Sequence, residues 1–194
     1  MVGIRRALVS VSDKTGVVEL CKALAEHGAI ILSTGGTARA LREGAVRVTD
    51  VTEYTDSPEI MEGRVKTLHP RVHGGILMRD LRSDRDELAR IGGAPIDLVV
   101  CNLYPFAATL ARGAAHDEII ENIDIGGPSM IRAAAKNHAR VTIAVDPSDY
   151  ARVAAAASAG TSERVRAELA AKAFAHVAEY DRAIADYLAH KLES

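Results

Sequence analysis

Apolar runs of strand length recur along this chain, and amphipathic stretches of helical length separate them. Residues 7–11, Ala-Leu-Val-Ser-Val, read as a buried strand. Residues 17–25 follow as an amphipathic helix, with Ser12 and Asp13 as N-cap types before it and Gly28 as its stop. Residues 29–33 form a second strand, 34–37 turn into a short helix ending near Gly44, and 46–51 alternate as a third strand. The stretch 52–71 has no clear period and reads as an ordered loop with a turn of helix. Residues 72–78 read as a weak strand, 83–91 as a polar helix, and 97–103 as the clearest central strand. Residues 116–122 are helical, 123–127 a loop, and Pro128 opens a helix running toward His138. A strand at 141–145 and two Ala-rich helices, 148–157 and 162–192, complete the order. Strands alternating with helices predict an α/β fold with a mainly parallel sheet and helices on both faces.

The 194 residues suit one domain, 1–194, with a core that needs no disulfide or structural metal. At 48% hydrophobic and 26% charged, global disorder is excluded. A formal net charge of −2 argues against a nucleic-acid binder, which carries a strongly basic face. Cys21 and Cys101 are too few for a disulfide framework and read as buried free thiols. There is no signal-peptide pattern at the N-terminus and no run of eighteen apolar residues, so a soluble cytoplasmic domain is expected.

In open parallel sheets, ligands bind beyond the carboxyl ends of the strands. Three polar loops fall there: 12–16, 34–37 and 102–105. In Thr34-Gly35-Gly36-Thr37 the glycines admit a ligand close to backbone N–H groups at a helix start, a setting that favours an anion. Ser12-Asp13-Lys14-Thr15-Gly16 adds hydroxyls and an ammonium, but the glycine that a P-loop requires is missing. Arg64 and Lys66 bring two cations into an aperiodic segment of a net acidic chain, which points to an anionic small molecule. His69 and His73 have Pro70 between them and no following Glu, so a zinc helix is excluded and no metal site is expected. By local sequence alone, Asp124 is equally a helix cap, Lys136 a solvated lysine and Tyr104 a packed ring.

Six motifs occur in order: 10–16, 34–38, 63–70 (Gly-Arg-Val-Lys-Thr-Leu-His-Pro), 101–106 (Cys-Asn-Leu-Tyr-Pro-Phe), 123–127 (Ile-Asp-Ile-Gly-Gly) and 132–138 (Arg-Ala-Ala-Ala-Lys-Asn-His). From Ala7 to Leu188 the chain closely resembles the IMP cyclohydrolase domain of the bifunctional purine-biosynthesis (PurH) family. The resemblance implies a methylglyoxal-synthase-like fold. It also implies dehydrative closure of 5-formamidoimidazole-4-carboxamide ribotide (FAICAR) to inosine 5′-monophosphate (IMP), the last step of purine synthesis, without metal or cofactor. Residues matching Ser12, Lys14, Thr34, Gly35, Gly36, Thr37, Arg64 and Thr67 hold the phosphate and ribose in the family; Asp13 and Gly126 are grouped with them as substrate-binding. Lys66, Tyr104, Asp124 and Lys136 match the catalytic residues around the closing ring, and Cys101, Asn102 and Ile125 match base contacts. The family carries a formyltransferase domain on the same chain, toward which the helix from about residue 162 would lead. Phe174, Val177, Ile184 and Leu188 form a stripe on that helix, so a homodimer is expected. A methylglyoxal synthase and a non-catalytic nucleotide-binding regulatory module of the same fold are the alternatives.

In the chemistry so implied, Asp124 takes a proton from the carboxamide nitrogen. Lys66, Tyr104 and a backbone N–H near Gly126 stabilise the oxyanion, and Lys136 delivers a proton to the departing hydroxyl. A helix unbroken from Pro128 to Lys136 spans about 12 Å, so Asp124 and Lys136 would approach the substrate from different directions.

Overall fold

The computed structural model describes residues 1–192, so the last two positions of the expected 1–194 unit lie outside the described residues. The sheet has five strands, β1 (Arg6–Ser10), β2 (Ile30–Ser33), β3 (Val48–Asp50), β4 (Leu98–Cys101) and β5 (Thr142–Ala144), in the order β3-β2-β1-β4-β5. Every pairing is parallel. All four residues of β4 and all three of β5 are buried, as continuous apolar runs covered on both faces must be.

The chain leaves β1 in two directions. Helices α1 (Val17–Glu26) and α2 (Gly35–Glu43) carry it through β2 to β3; α8 (Gly126–Lys136) carries it from β4 to β5 on the other side. Right-handed crossovers in opposite directions put α1 and α8 on opposite faces. Helix α9 (Tyr150–Ala155) packs on α1, whereas α4 (Pro70–Leu77) and α10 (Glu163–Leu192) pack on α8. Short helices α3 (Val51–Thr55), α5 (Arg82–Arg90), α6 (Phe106–Ala111) and α7 (His116–Glu121) fill the connections.

Local chemistry explains most boundaries. Helix α1 buries Val17, Leu20, Cys21 and Leu24, one face at helical spacing. It ends at Gly28, whose N–H reaches Ala25 O while the Ala29 N–H reaches Leu24 O, a Schellman arrangement with Gly28 at φ +82°. Its N-cap is Gly16, not Ser12 or Asp13, because the loop runs on for three more residues. The expected strand at 72–78 is instead α4. Pro70 occupies its first turn, His69 Nδ1 accepts the Arg71 N–H at 3.1 Å, and a Cβ at Gly75 would lie 2.7 Å from Ala94 O. Helix α8 begins at Gly126, two residues before Pro128. Helix α6, not anticipated, buries Phe106 against the α10 side of the core.

On α10 the buried seam is Leu169, Ala170, Ala173, Val177 and Tyr180. The expected stripe therefore divides: Val177 is buried and Ile184 packs on the core, while Phe174 and Leu188 are exposed. At the sheet's amino end, Arg140 pairs with Asp97 at 3.2 Å and donates to the carbonyls of Gly75 and Ile96 at 2.6 and 2.9 Å. Asp97 Oδ2 also accepts the N–H groups of Arg5 and Arg6.

Candidate active site

At the carboxyl edge of the sheet, Ser10 stands beside Cys101 and Val9 beside Ser33, so the loops after β1, β2 and β4 leave from one rim. Between β1 and β4 the chain's direction across the sheet reverses, which is where an α/β sheet opens a crevice. A cleft of about 800 Å³ lies there. Ser12, Lys14, Thr34, Gly35, Gly36, Thr37, Arg64, Lys66, Thr67, Cys101, Asn102, Tyr104, Asp124, Ile125 and Gly126 all border it.

One end of the cleft is cationic. The first N–H groups of α2 carry no side-chain cap from Thr34. Lys14 Nζ lies 3.8 Å from where a Cβ of Gly36 would stand, and Lys66 Nζ 3.7 Å from that of Gly35. Gly35 has φ +55°, so glycine supplies both the turn and the room. Lys14 Nζ donates to Ser12 O at 3.2 Å, and Lys66 Nζ pairs with Glu59 at 2.6 Å. Two ammoniums at an uncapped helix start make a site for a dianion. Lys66 thus faces the α2 start, as Lys14 does. Arg64 spans the mouth to an exposed ion pair with Glu121.

The other end carries the carboxylate. Asp124 Oδ1 accepts the Gly127 N–H at 2.8 Å, so the side chain caps α8. Burial raises its pKa above the ordinary carboxylate value, against the hydrogen bonds from Gly127 and Gly126. Tyr104 is exposed on the same wall. Thr67 Oγ1 lies 2.8 Å from where a Gly126 Cβ would be, so a glycine there lets the 64–67 segment close against the Asp124 loop. Cys101 is buried, and its thiol is pushed up by burial and by the nearby Asp124 charge.

Some assigned residues turn their side chains to other work. Thr37 donates to Val11 O and accepts the Val11 N–H, at 2.9 and 3.0 Å, so its hydroxyl faces inward. Asn102 Oδ1 accepts the N–H groups of Ser12 and Asp13, and its amide donates to Asp13 O, fastening the β1 loop to the β4 loop. Asp13 and Lys136 do not border the cleft. Asp13 is exposed and bonds Thr15, which lowers its pKa. Lys136 is exposed at the far end of α8, about 15 Å along the axis from Gly126. Two parts of the site carry no sequence signal: the wall from Ile120 to Ile123 at the end of α7, and Tyr180, whose hydroxyl accepts the Asp124 N–H at 2.8 Å. These contacts come from elements distant in sequence, with no local motif.

The family model for the MGS-like domain matches residues 16–129, which include the loops after β2 and β4 and the start of α8. The chain belongs to the MGS-like domain family. Beyond that match, residues 134–194 match a second model, the AICARFT/IMPCHase bienzyme. Among similar proteins, the bifunctional purine biosynthesis protein PurH of Sorangium cellulosum is 64% identical over 188 residues, covering 95% of this chain and 36% of that protein. PurH of Magnetococcus marinus is 55% identical over 193 residues, with 97% and 36% covered. The chain thus spans about a third of the length of these relatives. The crystal structure of ForH is 35% identical and superposes with a TM-score of 0.80, covering 94% of this chain and 97% of that one.

Proposed function

We propose that this chain is an IMP cyclohydrolase, closing FAICAR to IMP with loss of water. The observation that carries the reading is one cleft with two chemically different ends, a dianion cradle at Lys14, Lys66 and the α2 start, and a partly buried carboxylate at Asp124. A nucleoside monophosphate has its phosphate and base at the same two ends. Similarity to the PurH proteins supports the specific reaction.

The carboxamide nitrogen of FAICAR is a weak nucleophile and its formyl carbon a weak electrophile. Holding the two arms in plane supplies several kcal/mol of the barrier. Asp124, with its raised pKa, takes the proton from nitrogen as the N–C bond forms. Tyr104 and an N–H at the α8 start donate to the oxyanion on the former formyl oxygen, at about 3–4 kcal/mol for one good donor. Asp124 returns that proton to the oxygen, giving a hydroxyl; as the C–O bond breaks and the C=N bond forms, the proton lost from the former formamide nitrogen completes the departing water. Lys66 is reassigned from the reacting atoms to the phosphate, and no step is given to Lys136.

Ultraviolet detection of IMP from FAICAR with the purified chain tests this reading. Asp124→Asn should lower kcat far more than it weakens IMP binding, and Lys66→Ala the reverse. Absence of IMP formation, together with phosphate release from dihydroxyacetone phosphate, would replace the reading with methylglyoxal synthase. IMP binding without turnover would replace it with a regulatory module. Among the described residues no helix is long and apolar enough to cross a membrane. A cytoplasmic location, a formyltransferase partner domain on the same chain and a homodimer belong to the same proposal. The PurH relatives support the second domain, and exposed Phe174 and Leu188 support the homodimer. Light scattering across a concentration series tests self-association, and a constant monomer mass overturns it.

A further inference from the structure

The long helix α10 reaches the back of the loop that carries Asp124. The Tyr180 hydroxyl accepts the Asp124 N–H at 2.8 Å and donates to Asn122 O at 3.3 Å, so both of its hydrogen-bonding capacities are spent on one three-residue stretch. The ring is 9% exposed and meets Phe106 edge-on at 6.1 Å, which fixes where the hydroxyl can be. Burial raises the Tyr180 pKa, keeping the hydroxyl neutral and able to accept and donate together.

The rest of that wall is held weakly by polar contacts. Arg64–Glu121 and Arg112–Glu118 are ion pairs between exposed side chains, a class that contributes little. One residue, Asp124, therefore has its backbone fixed from behind by Tyr180 and its carboxylate fixed in front by the Gly127 N–H. Releasing the first lets the second drift, because only Cα and Cβ stand between the amide nitrogen and the carboxyl carbon.

We propose that Tyr180 is a positioning residue for ring closure: its hydroxyl holds the Asp124 backbone so that the carboxylate points into the cleft. The inference rests on the reading of Asp124 as the group that takes the proton. Tyr187, two turns along α10, makes the natural comparison. Its hydroxyl shares a hydrogen bond of 2.8 Å with His116 Nδ1 at the start of α7, eight residues ahead of Asp124, and not with the Asp124 loop itself.

The test compares Tyr180→Phe, Tyr187→Phe and Asp124→Asn, each read by steady-state kinetics, thermal unfolding and amide hydrogen exchange. Tyr180→Phe keeps the ring and removes only the hydroxyl. It should lower kcat by on the order of 10- to 100-fold, the scale of a reacting group displaced by up to an ångström. KM should stay within about twofold, as expected when no substrate contact is lost. Exchange of the Asp124 amide should accelerate, and Tyr187→Phe should leave kcat within about twofold at a comparable loss of Tm. If Asp124→Asn loses activity while Tyr180→Phe keeps it, the positioning role is overturned and the role of Asp124 stands. Equal losses of kcat in both tyrosine variants, tracking Tm, overturn it as well. If Asp124→Asn is fully active, the proton-transfer reading fails. The positioning role in ring closure then falls with it, even if Asp124 amide exchange accelerates in Tyr180→Phe. Unchanged Asp124 exchange in that variant overturns the hydroxyl's hold on the loop in any case.

Discussion

Gly127→Ala asks whether the Asp124 carboxylate acts from the place it occupies. A Cβ on residue 127 would lie 2.4 Å from Asp124 Oδ2 and 2.7 Å from Leu103 Cδ2. Leu103 is 7% exposed, and Gly127 is itself buried at the start of a helix packed on β4, so the carboxylate is the part that yields. Its movement breaks the 2.8 Å bond from the Gly127 N–H. A hydrogen bond to a charged group contributes about 1.5–3 kcal/mol, and alanine's helix preference over glycine offsets about 1 kcal/mol of that. The net loss of stability is then about 0.5–2 kcal/mol, a shift of several degrees in Tm. Activity should fall much further, by on the order of 100-fold in kcat, because a displacement of about 1 Å costs that much in rate. Urea unfolding and ultraviolet detection of ring closure read the two quantities on one preparation, with IMP calorimetry as the third. IMP affinity should hold, since the Lys14 and Lys66 end is untouched. Wild-type kcat in this variant would refute the position assigned to the carboxylate, and an affinity loss matching the kcat loss would refute the separation of the two ends.

The raised Asp124 pKa has a pH signature. A carboxyl that binds its proton more tightly when folded stabilises the protein fully below its unfolded value of 3.8 and loses that contribution as pH rises through the folded value. Wild type should therefore lose stability relative to Asp124→Asn as pH climbs from below 3.8, and a gap that grows in wild type's favour would refute the shift. The acid limb of kcat/KM should likewise lie above 3.8. Arg140→Met removes one partner of a buried pair and leaves the Asp97 charge with only the Arg5 and Arg6 N–H groups; the expected loss is about 3 kcal/mol in urea unfolding, and a loss below about 1 kcal/mol would mean the pair is solvated. Cys21 is buried with its pKa pushed up to about 12, and Cys101 is shifted the same way, so neither should react with an aromatic disulfide reagent before unfolding. Labelling of the native protein at pH 8 would contradict this.

The strands were legible because a covered parallel strand has little choice of residues: 7–10, 30–33 and 98–101 are apolar almost throughout. The candidate site was legible because the rim rule selects loops by position, and Lys14 and the glycines at 12–16 and 34–37 have few other uses. Helix α4 was hidden by Gly74-Gly75, which weaken a helical reading; yet Gly75 is what allows Ala94 and Ile96 to approach, and Gly74 leaves room for Leu88. The seam of α10 was misplaced by one residue at Phe174, since in an Ala-rich helix the buried position is the small Ala173. Only the fold reveals that Thr37 and Asn102, both on the border of the cleft, also tie the loops together through their side chains. Nothing near Asp124 in the chain announces a tyrosine hydroxyl from α10.

The central place of β1 in the sheet has a cost during synthesis. Ala7 pairs with Ile31 on one side and with Leu98 on the other. A ribosome that has delivered β3 has released everything needed for the first pairing and nothing for the second. At about 5–20 residues per second, several seconds pass before Leu98 emerges, and throughout them one apolar flank of β1 has no neighbour. An open, uncharged strand edge is a template for other chains. The Lys14 loop and the start of α2 can be in place early, whereas Asp124 arrives after β4. The nascent chain therefore holds half of its cleft while its most association-prone strand is still uncovered.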